Sequence, residues 1–309
     1  MKPNLPTLEK IEQFNNDSLD ELIELDKKGI LVGCKEDIES FKKRLLSIVA
    51  EIDELENKLK NNNEAEVFTD YICKSKDLIT YEYIKKLSSK TEEKYSFAVD
   101  WVPGFYNSKG LGLFGGGCSI TSENGFCIII LRKQFQKRPK WLLYTADEII
   151  VHELTHTARS PINDSKLEEF FAYSLSPSSL RRYLGNCFKS SYDLILLLAP
   201  ILLLLCMEIL IIMGYENIPI YIFWIIIFIY PVIALFKNAF SRKLFFKAKI
   251  NLIKQMNLTL KNAESILFRC SYDEIKELSK KNDKKSIAEW INDKQAELRW
   301  KVIKKRFSR

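Results

Sequence analysis

The stretch Thr145-Ala146-Asp147-Glu148-Ile149-Ile150-Val151-His152-Glu153-Leu154-Thr155-His156-Thr157-Ala158-Arg159 contains both histidines of this 309-residue chain. Thr145 and Glu148 form an S/T-x-x-E capping box, so a helix is expected to start at Ala146 and to run to about Ala158, with Pro161 stopping it. Residues four apart share a helix face, so His152 and His156 can offer imidazole nitrogens to a single metal ion. Glu153, one position round, reaches a water on such an ion rather than the ion itself, which is the residue pattern of a zinc hydrolase. The chemistry expected of it is hydrolysis of a peptide bond. Zinc brings the pKa of water toward about 7, Glu153 takes the proton as the water attacks the carbonyl, and the leaving amine receives it. Two histidines scattered at random would fall into this pattern on the order of once in a thousand sequences, which weighs against a pair of ordinary surface histidines.

Downstream, Ser165-Lys166-Leu167-Glu168 reads as a second capping box, opening a helix through Phe170, Phe171 and Leu175. No histidine is left to complete the metal site, so a carboxylate is required, and Glu168 and Glu169 both stand on that helix. Glu168 lies nearer the apolar face set by Leu167, Phe171 and Leu175.

HExxH followed by a glutamate on a downstream helix within E-x-x-A, here Glu169 to Ala172, resembles the gluzincin metallopeptidases. The resemblance implies Glu169 as third ligand with Glu168 as the alternative. The unused glutamate would then support a ligand or remain a solvated charge. It also implies a zincin-like catalytic core, one catalytic zinc ion, and an oxyanion stabiliser from Tyr173, Tyr183 or Arg159. A substrate would lie along the strand before the active-site helix; residues 126–131 are the candidate, with a plain core strand as the other reading. With membrane spans beside the site, the chain is similar to the membrane-bound heat-shock and prenyl-protein peptidases over about residues 95–190. It departs from them in carrying its spans after the motif and Tyr173 where they carry Asp. A peptidase with its motif inside a span fits less well, because Asp147, Glu148 and Arg159 share the motif's helix.

Upstream of the motif, residues 96–102 look like a strand, and a glycine-rich stretch over 110–117 follows. Its glycines precede no G-K-[ST], so they suggest a bend rather than a phosphate loop. Residues 118–121 and 126–131 flank Ser122-Glu123-Asn124-Gly125, a hairpin signal. Residues 7–90 read as helical. Ile38, Phe41, Leu45, Ile48, Ile52, Leu55 and Leu59 are spaced alternately by three and four, the seam of a coiled coil. The seam is expected to pack on a second helix over 64–88 after a turn at Asn61-Asn62-Asn63, or to mediate self-association through residues 35–60.

Residues 192–213 and 220–236 are almost wholly apolar and long enough, at 1.5 Å per residue, to cross a hydrocarbon core of about 30 Å. Two membrane spans are therefore expected, with the lipid bilayer as a partner. Arg181, Arg182 and Lys189 precede them, Lys237, Arg242, Lys243, Lys247 and Lys249 follow, and the link between them has no Lys or Arg. The positive-inside rule then puts both termini in the cytoplasm. Glu208 within the first span is expected to reach toward the interface, with a functional carboxylate as the sharper alternative. The net charge of +7 is concentrated after the spans, where residues 237–309 hold 20 Lys and Arg against eight Asp and Glu. That placement favours lipid headgroups over nucleic acid, of which no motif is present, with a plainly solvated basic face as the other reading. Trp290 and Trp300 in this tail read as packing residues. Seven cysteines without a C-x-x-C pair, Cys206 among them inside an apolar run, point to a reducing compartment. No apolar leader follows Met1, so no signal peptide is expected.

The expected fold is α+β: mostly helical, with a small β-sheet before the motif helix and a two-helix transmembrane hairpin. Four parts are expected: a helical region over 1–92, a catalytic domain over 93–190, the hairpin over 191–237, and a basic helical tail over 238–309. The function expected is a membrane-anchored zinc endopeptidase acting on protein or peptide substrates. The other reading is a membrane-anchored interaction protein with a structural or vestigial zinc site.

Overall fold

Residues 5–68, 71–112, 115–187, 191–215 and 219–307 are described by the computed structural model. Residues 1–4, residues 113–114 of the glycine-rich stretch, Lys189, and residues 216–218 of the link between the spans lie outside them.

Leu8–Glu12 (α1) and Leu19–Lys27 (α2) lead into the long helix Ile38–Asn62 (α3), which Asp37 caps by accepting from the Ser40 amide at 2.8 Å. The seam of α3 is buried within the chain. Its partner is not the expected helix over 64–88. Asn63 ends α3 in the left-handed conformation, φ 59°, and the chain turns at once into Glu64–Val67 (β1), paired antiparallel with Tyr71–Lys74 (β2). Glu64-Ala65-Glu66-Val67 alternates with period two, so the strand buries Ala65 and Val67 and leaves both glutamates out. Leu78–Ile79 (β3) and the helix Tyr81–Tyr95 (α4) follow.

The main sheet runs β3, Gly104–Tyr106 (β4), Cys127–Leu131 (β6), Gly117–Thr121 (β5) in spatial order. β4 and β6 are parallel and the other pairs antiparallel. The 96–102 stretch is not its strand. Phe97, Val99, Trp101 and Val102 are buried, but the backbone runs as a strap past α2, with the Ala98 amide donating to the Lys27 carbonyl at 2.8 Å. Gly125, at φ +87°, closes the β5–β6 turn as the sequence suggests. Lys140–Trp141 (β7) and Tyr144–Thr145 (β8) form a short ribbon leading into Ala146–Arg159 (α5), which packs across β5 and β6. Glu168–Tyr173 (α6) and Ser179–Leu184 (α7) complete this layer.

Two helices long and apolar enough to cross a membrane come next, Ser191–Ile212 (α8) and Ile220–Met256 (α9). They pair with each other, and Tyr230 donates to Asp193 at 2.5 Å. Only 6% of the apolar window of each is buried, so neither apolar stretch belongs to the core, which α9 joins only further on, at Phe245, Ala248 and Leu252.

At 37 residues, α9 is about 55 Å long, and its distal half leaves the apolar zone. It ends at Met256, where Asn257 takes φ 52°. The tail then folds back as Leu260–Phe268 (α10), Tyr272–Leu278 (α11), Lys284–Asp293 (α12) and Leu298–Phe307 (α13), with a short 3-10 turn at Lys294–Ala296 between the last two. This tail joins the main core. Phe268 stacks on Tyr95 at 4.4 Å between ring centroids and meets Phe171 edge-on at 5.3 Å. Trp290 and Trp300 pack edge to face at 4.9 Å, as packing residues should. The chain is thus mostly helical with small sheets, and one continuous apolar core includes residues from α1 to α13.

Candidate metal centre

Helix α5 starts where the sequence puts it, with Thr145 Oγ1 accepting from the Glu148 amide at 3.3 Å. The reciprocal half of the capping box is missing. The Glu148 carboxylate instead accepts from Ser176 Oγ at 2.5 Å and from Arg181 Nη1 at 2.7 Å, tying α5 to the chain beyond α6. Ile149, Ile150, Val151, Leu154, Thr155 and Ala158 bury the rest of the helix, so the face carrying His152 and His156 is its opening to the cleft.

The two imidazoles stand one turn apart with Nε2 atoms 3.1 Å from each other. From α6, Glu169 brings one carboxylate oxygen to 3.4 Å from His152 Nε2 and the other to 3.5 Å from His156 Nε2. Three donor atoms thus converge, all within 4.8 Å of one another. Donors about 2.1 Å from an ion at the centre of a tetrahedron lie about 3.4 Å apart, so the spacing fits a small ion with an open fourth position. This cluster could hold a metal.

Glu168 faces the other way. One of its oxygens lies 3.4 Å from His156 Nδ1 and the other accepts from Arg159 Nε at 2.9 Å. The second capping box therefore does not form: α6 starts after Leu167 without a side-chain cap, because the Glu168 carboxylate is held by Arg159 and His156. In the neutral tautomer that donates Nδ1–H to Glu168, the Nε2 lone pair of His156 points to the cluster. Burial alone would lower the His156 pKa, but the Glu168 bond and the charges of Glu153, Glu169 and Glu168 outweigh it and push the group up to about 9. Negative charge is in excess around these rings, and that suits a cation.

Glu153 is buried at the cleft wall beside His152; its carbonyl accepts from Thr157 Oγ1 at 3.0 Å, while its carboxylate has no hydrogen bond or ion pair among the described residues. Tyr173 packs its ring edge-on to His152 at 4.6 Å and also lines the cleft. Burial and then the Glu169 charge raise its pKa, so its hydroxyl keeps its proton. Of the other two residues weighed as oxyanion stabilisers, Tyr183 is exposed with its ring beneath Arg242, and Arg159 is wholly buried with its guanidinium turned away from the cleft. Tyr173 alone of the three lines the cleft.

The far wall corrects one expectation. Residues 127–131 form the central strand, flanked by β4 and β5 and fully buried, so they have no free edge to offer an extended peptide. The strand beside the metal cluster is the edge strand β5, whose Gly117, Cys118, Ser119 and Thr121 line the cleft. Sequence order pointed to the hairpin arm nearer α5 in the chain, but its first arm lines the cleft. Two glycines were not read as site residues. A Cβ on Gly116 would come within 2.2 Å of Ile149 Cδ1, and one on Gly185 within 2.1 Å of the Tyr173 ring. Both permit close approach: one lays the glycine stretch against α5, the other seats Tyr173.

Compared with known proteins, the chain matches no family model, no curated protein and no solved structure.

Proposed function

We propose that this protein is a membrane-anchored, zinc-dependent endopeptidase of the gluzincin type, with a zincin-like core over β5, β6, α5 and α6. The observation that carries the reading is the convergence of His152, His156 and Glu169 on one point, with the unengaged carboxylate of Glu153 beside it in an open cleft. Nitrogen and carboxylate donors at tetrahedral spacing favour zinc over calcium or magnesium, which take six or more oxygens. Zinc bound there supplies the Lewis acidity that makes water a nucleophile at neutral pH and polarises the scissile carbonyl.

The residues do the remainder. Glu153 takes the proton of the attacking water and passes it to the nitrogen of the leaving amine. Tyr173 holds its phenolic proton and donates a hydrogen bond to the oxygen on which charge develops. The free edge of β5 aligns an extended peptide by main-chain hydrogen bonds, and this fixes the carbonyl over the site.

Helices α8 and α9 form the anchor. Their exposed apolar surface needs a lipid surround, and the basic residues at both inner flanks favour a cytoplasmic active site close to the bilayer. Membrane or membrane-proximal proteins are the substrates that this location favours.

Zinc content and cleavage of an unfolded protein by the purified full-length chain, wild type against Glu153→Gln, test the reading. Stoichiometric zinc in both with cleavage only in the wild type is expected. Bound zinc with no Glu153-dependent cleavage of any substrate would turn the reading to an anchored interaction protein.

A further inference from the structure

Arg159 is the last residue of α5, three positions after His156, and its side chain is fully buried. A buried guanidinium is costly unless its donors are met. Here Nε donates to Glu168 Oε1 at 2.9 Å, Nη1 to the carbonyl of Phe268, and Nη2 to Asp164 Oδ2 and the Cys270 carbonyl, both at 3.4 Å. The Arg159 Cζ lies 4.3 Å from the ring centroid of Phe171. Asp164 in turn accepts from the backbone amide of Tyr272 at 2.7 Å. The fork thus has one arm on the carboxylate behind His156 and the others on the turn between α10 and α11, directly at Phe268 and Cys270 and through Asp164 at Tyr272.

We infer that Arg159 is a positioning residue for the metal site: it fixes Glu168 against Nδ1 of His156, and the 268–272 turn of the tail holds Arg159 in place. The inference rests on the metal-binding reading above and deepens it. A ligand histidine needs a partner on its second nitrogen to set its tautomer and ring angle, and loss of such partners weakens metal binding by roughly 10- to 100-fold. Glu168 is that partner, and its own orientation depends on the guanidinium. Lysine cannot replace it, since a single ammonium lacks the fork that reaches Glu168, Asp164 and two carbonyls together. The segment following the membrane helices is therefore a part of the metal site, although it contributes no ligand.

Zinc affinity of the full-length protein in detergent, measured by competition with a chelating indicator, tests this alongside the melting temperature of the metal-free form. In Glu168→Gln the single amide oxygen can serve Arg159 or His156 but not both, so affinity should fall by about 10- to 100-fold. Arg159→Lys should fall similarly, and the double variant no further than the weaker single one, because both changes cut the same link. Tyr272→Pro isolates the tail. Tyr272 opens α11 and Ser271 before it has ψ 165°, so proline fits there; it removes the amide that holds Asp164 together with the ring beneath Lys166, and Tyr272→Ala removes the ring alone. A loss of a few-fold is expected, with Tyr272→Ala, which keeps the amide, close to wild type. Additive losses in the double variant would overturn the inference, as would unchanged zinc affinity in Glu168→Gln. If Arg159→Lys does not fold, the isosteric Glu168→Gln and the Tyr272 pair still decide. A wild type that binds no zinc would instead bring down the metal reading itself.

Discussion

Two clusters of charge, one buried around the tail and one half-buried in the cleft, are built on opposite rules. In the tail cluster each carboxylate faces a guanidinium: Asp26 accepts from Arg269 at 2.8 Å and also from Arg306, and Glu274 accepts from Arg299 at 2.7 Å. Glu274 further accepts from Trp300 Nε1 at 2.8 Å and the Ser271 amide at 2.8 Å. In the metal cluster, three glutamates and two imidazoles crowd one wall, and Arg159 meets only Glu168 among them. The first cluster is closed, a set of paired ions that can do little except hold elements together. The second has acceptors left over and opens to solvent. Excess acceptors beside a cleft are expensive for folding alone, and a bound cation is what would balance them.

The largest effect should come from Glu153, whose carboxylate no described residue holds. Glu153→Gln removes the proton acceptor while keeping shape, so cleavage should drop by about 10²- to 10⁴-fold with zinc content unchanged. Equal cleavage by both proteins would erase the distinction drawn for this cluster. In the tail, Glu274→Gln leaves the Arg299 charge buried with only Glu297, at 3.3 Å, as an ionic partner. A loss of roughly 3 kcal/mol is expected. It should appear as a lower melting temperature with zinc affinity maintained. Stability should move strongly in one case and chemistry in the other.

Removing the metal comes next. A ligand at a hundred times its Kd stabilises the native state by about 2.7 kcal/mol. Chelation should therefore lower the wild-type melting temperature, and zinc, not magnesium, should restore it. The same treatment should leave Glu169→Gln nearly unmoved. A wild type indifferent to chelator would mean that the acceptors of the cleft need no cation.

Much of the metal cluster was legible because its signals are local. A cap at Thr145 and histidines four apart fix a helix and its face without any knowledge of the rest of the chain. The convergence of Glu169 with them rests on the same short segment. The tail's place was not legible, since Arg269 meets Asp26 across 243 positions and no periodicity records such a pairing. A basic run after two spans reads as a solvated face, yet Arg269 and Arg299 are among the most buried residues. The capping boxes failed for a related reason. S/T-x-x-E describes a competition between a glutamate and its own backbone, and at both sites an arginine from outside the motif won: Arg181 for Glu148, Arg159 for Glu168. The strand expected over 96–102 was lost to tertiary packing in the same way, its apolar side chains buried without a ladder.

The smallest effect, and the one that separates the clusters most cleanly, is in pH. His156 is pushed up to about 9 from 6.5, so in the metal-free protein its protonated ring favours the fold. That contribution is complete below pH 6.5 and lost as pH rises through about 9. Glu274 runs the other way. Burial alone would raise it, but Arg299 holds it below 4.5, so its contribution is present above that value and lost as pH falls through its lowered pKa. Metal-free protein should thus melt lower at pH 9 than at pH 6.5, because of the metal cluster, and lower again under acid, because of the tail. Zinc should flatten or reverse the alkaline arm, since a ligand imidazole gives up its proton to bind and affinity rises as pH rises. It should leave the acid loss at Glu274 in place. Melting curves across pH with and without zinc read both arms in one experiment. An alkaline decline that persists undiminished in zinc would show that the His156 proton and the cation do not compete for the same site.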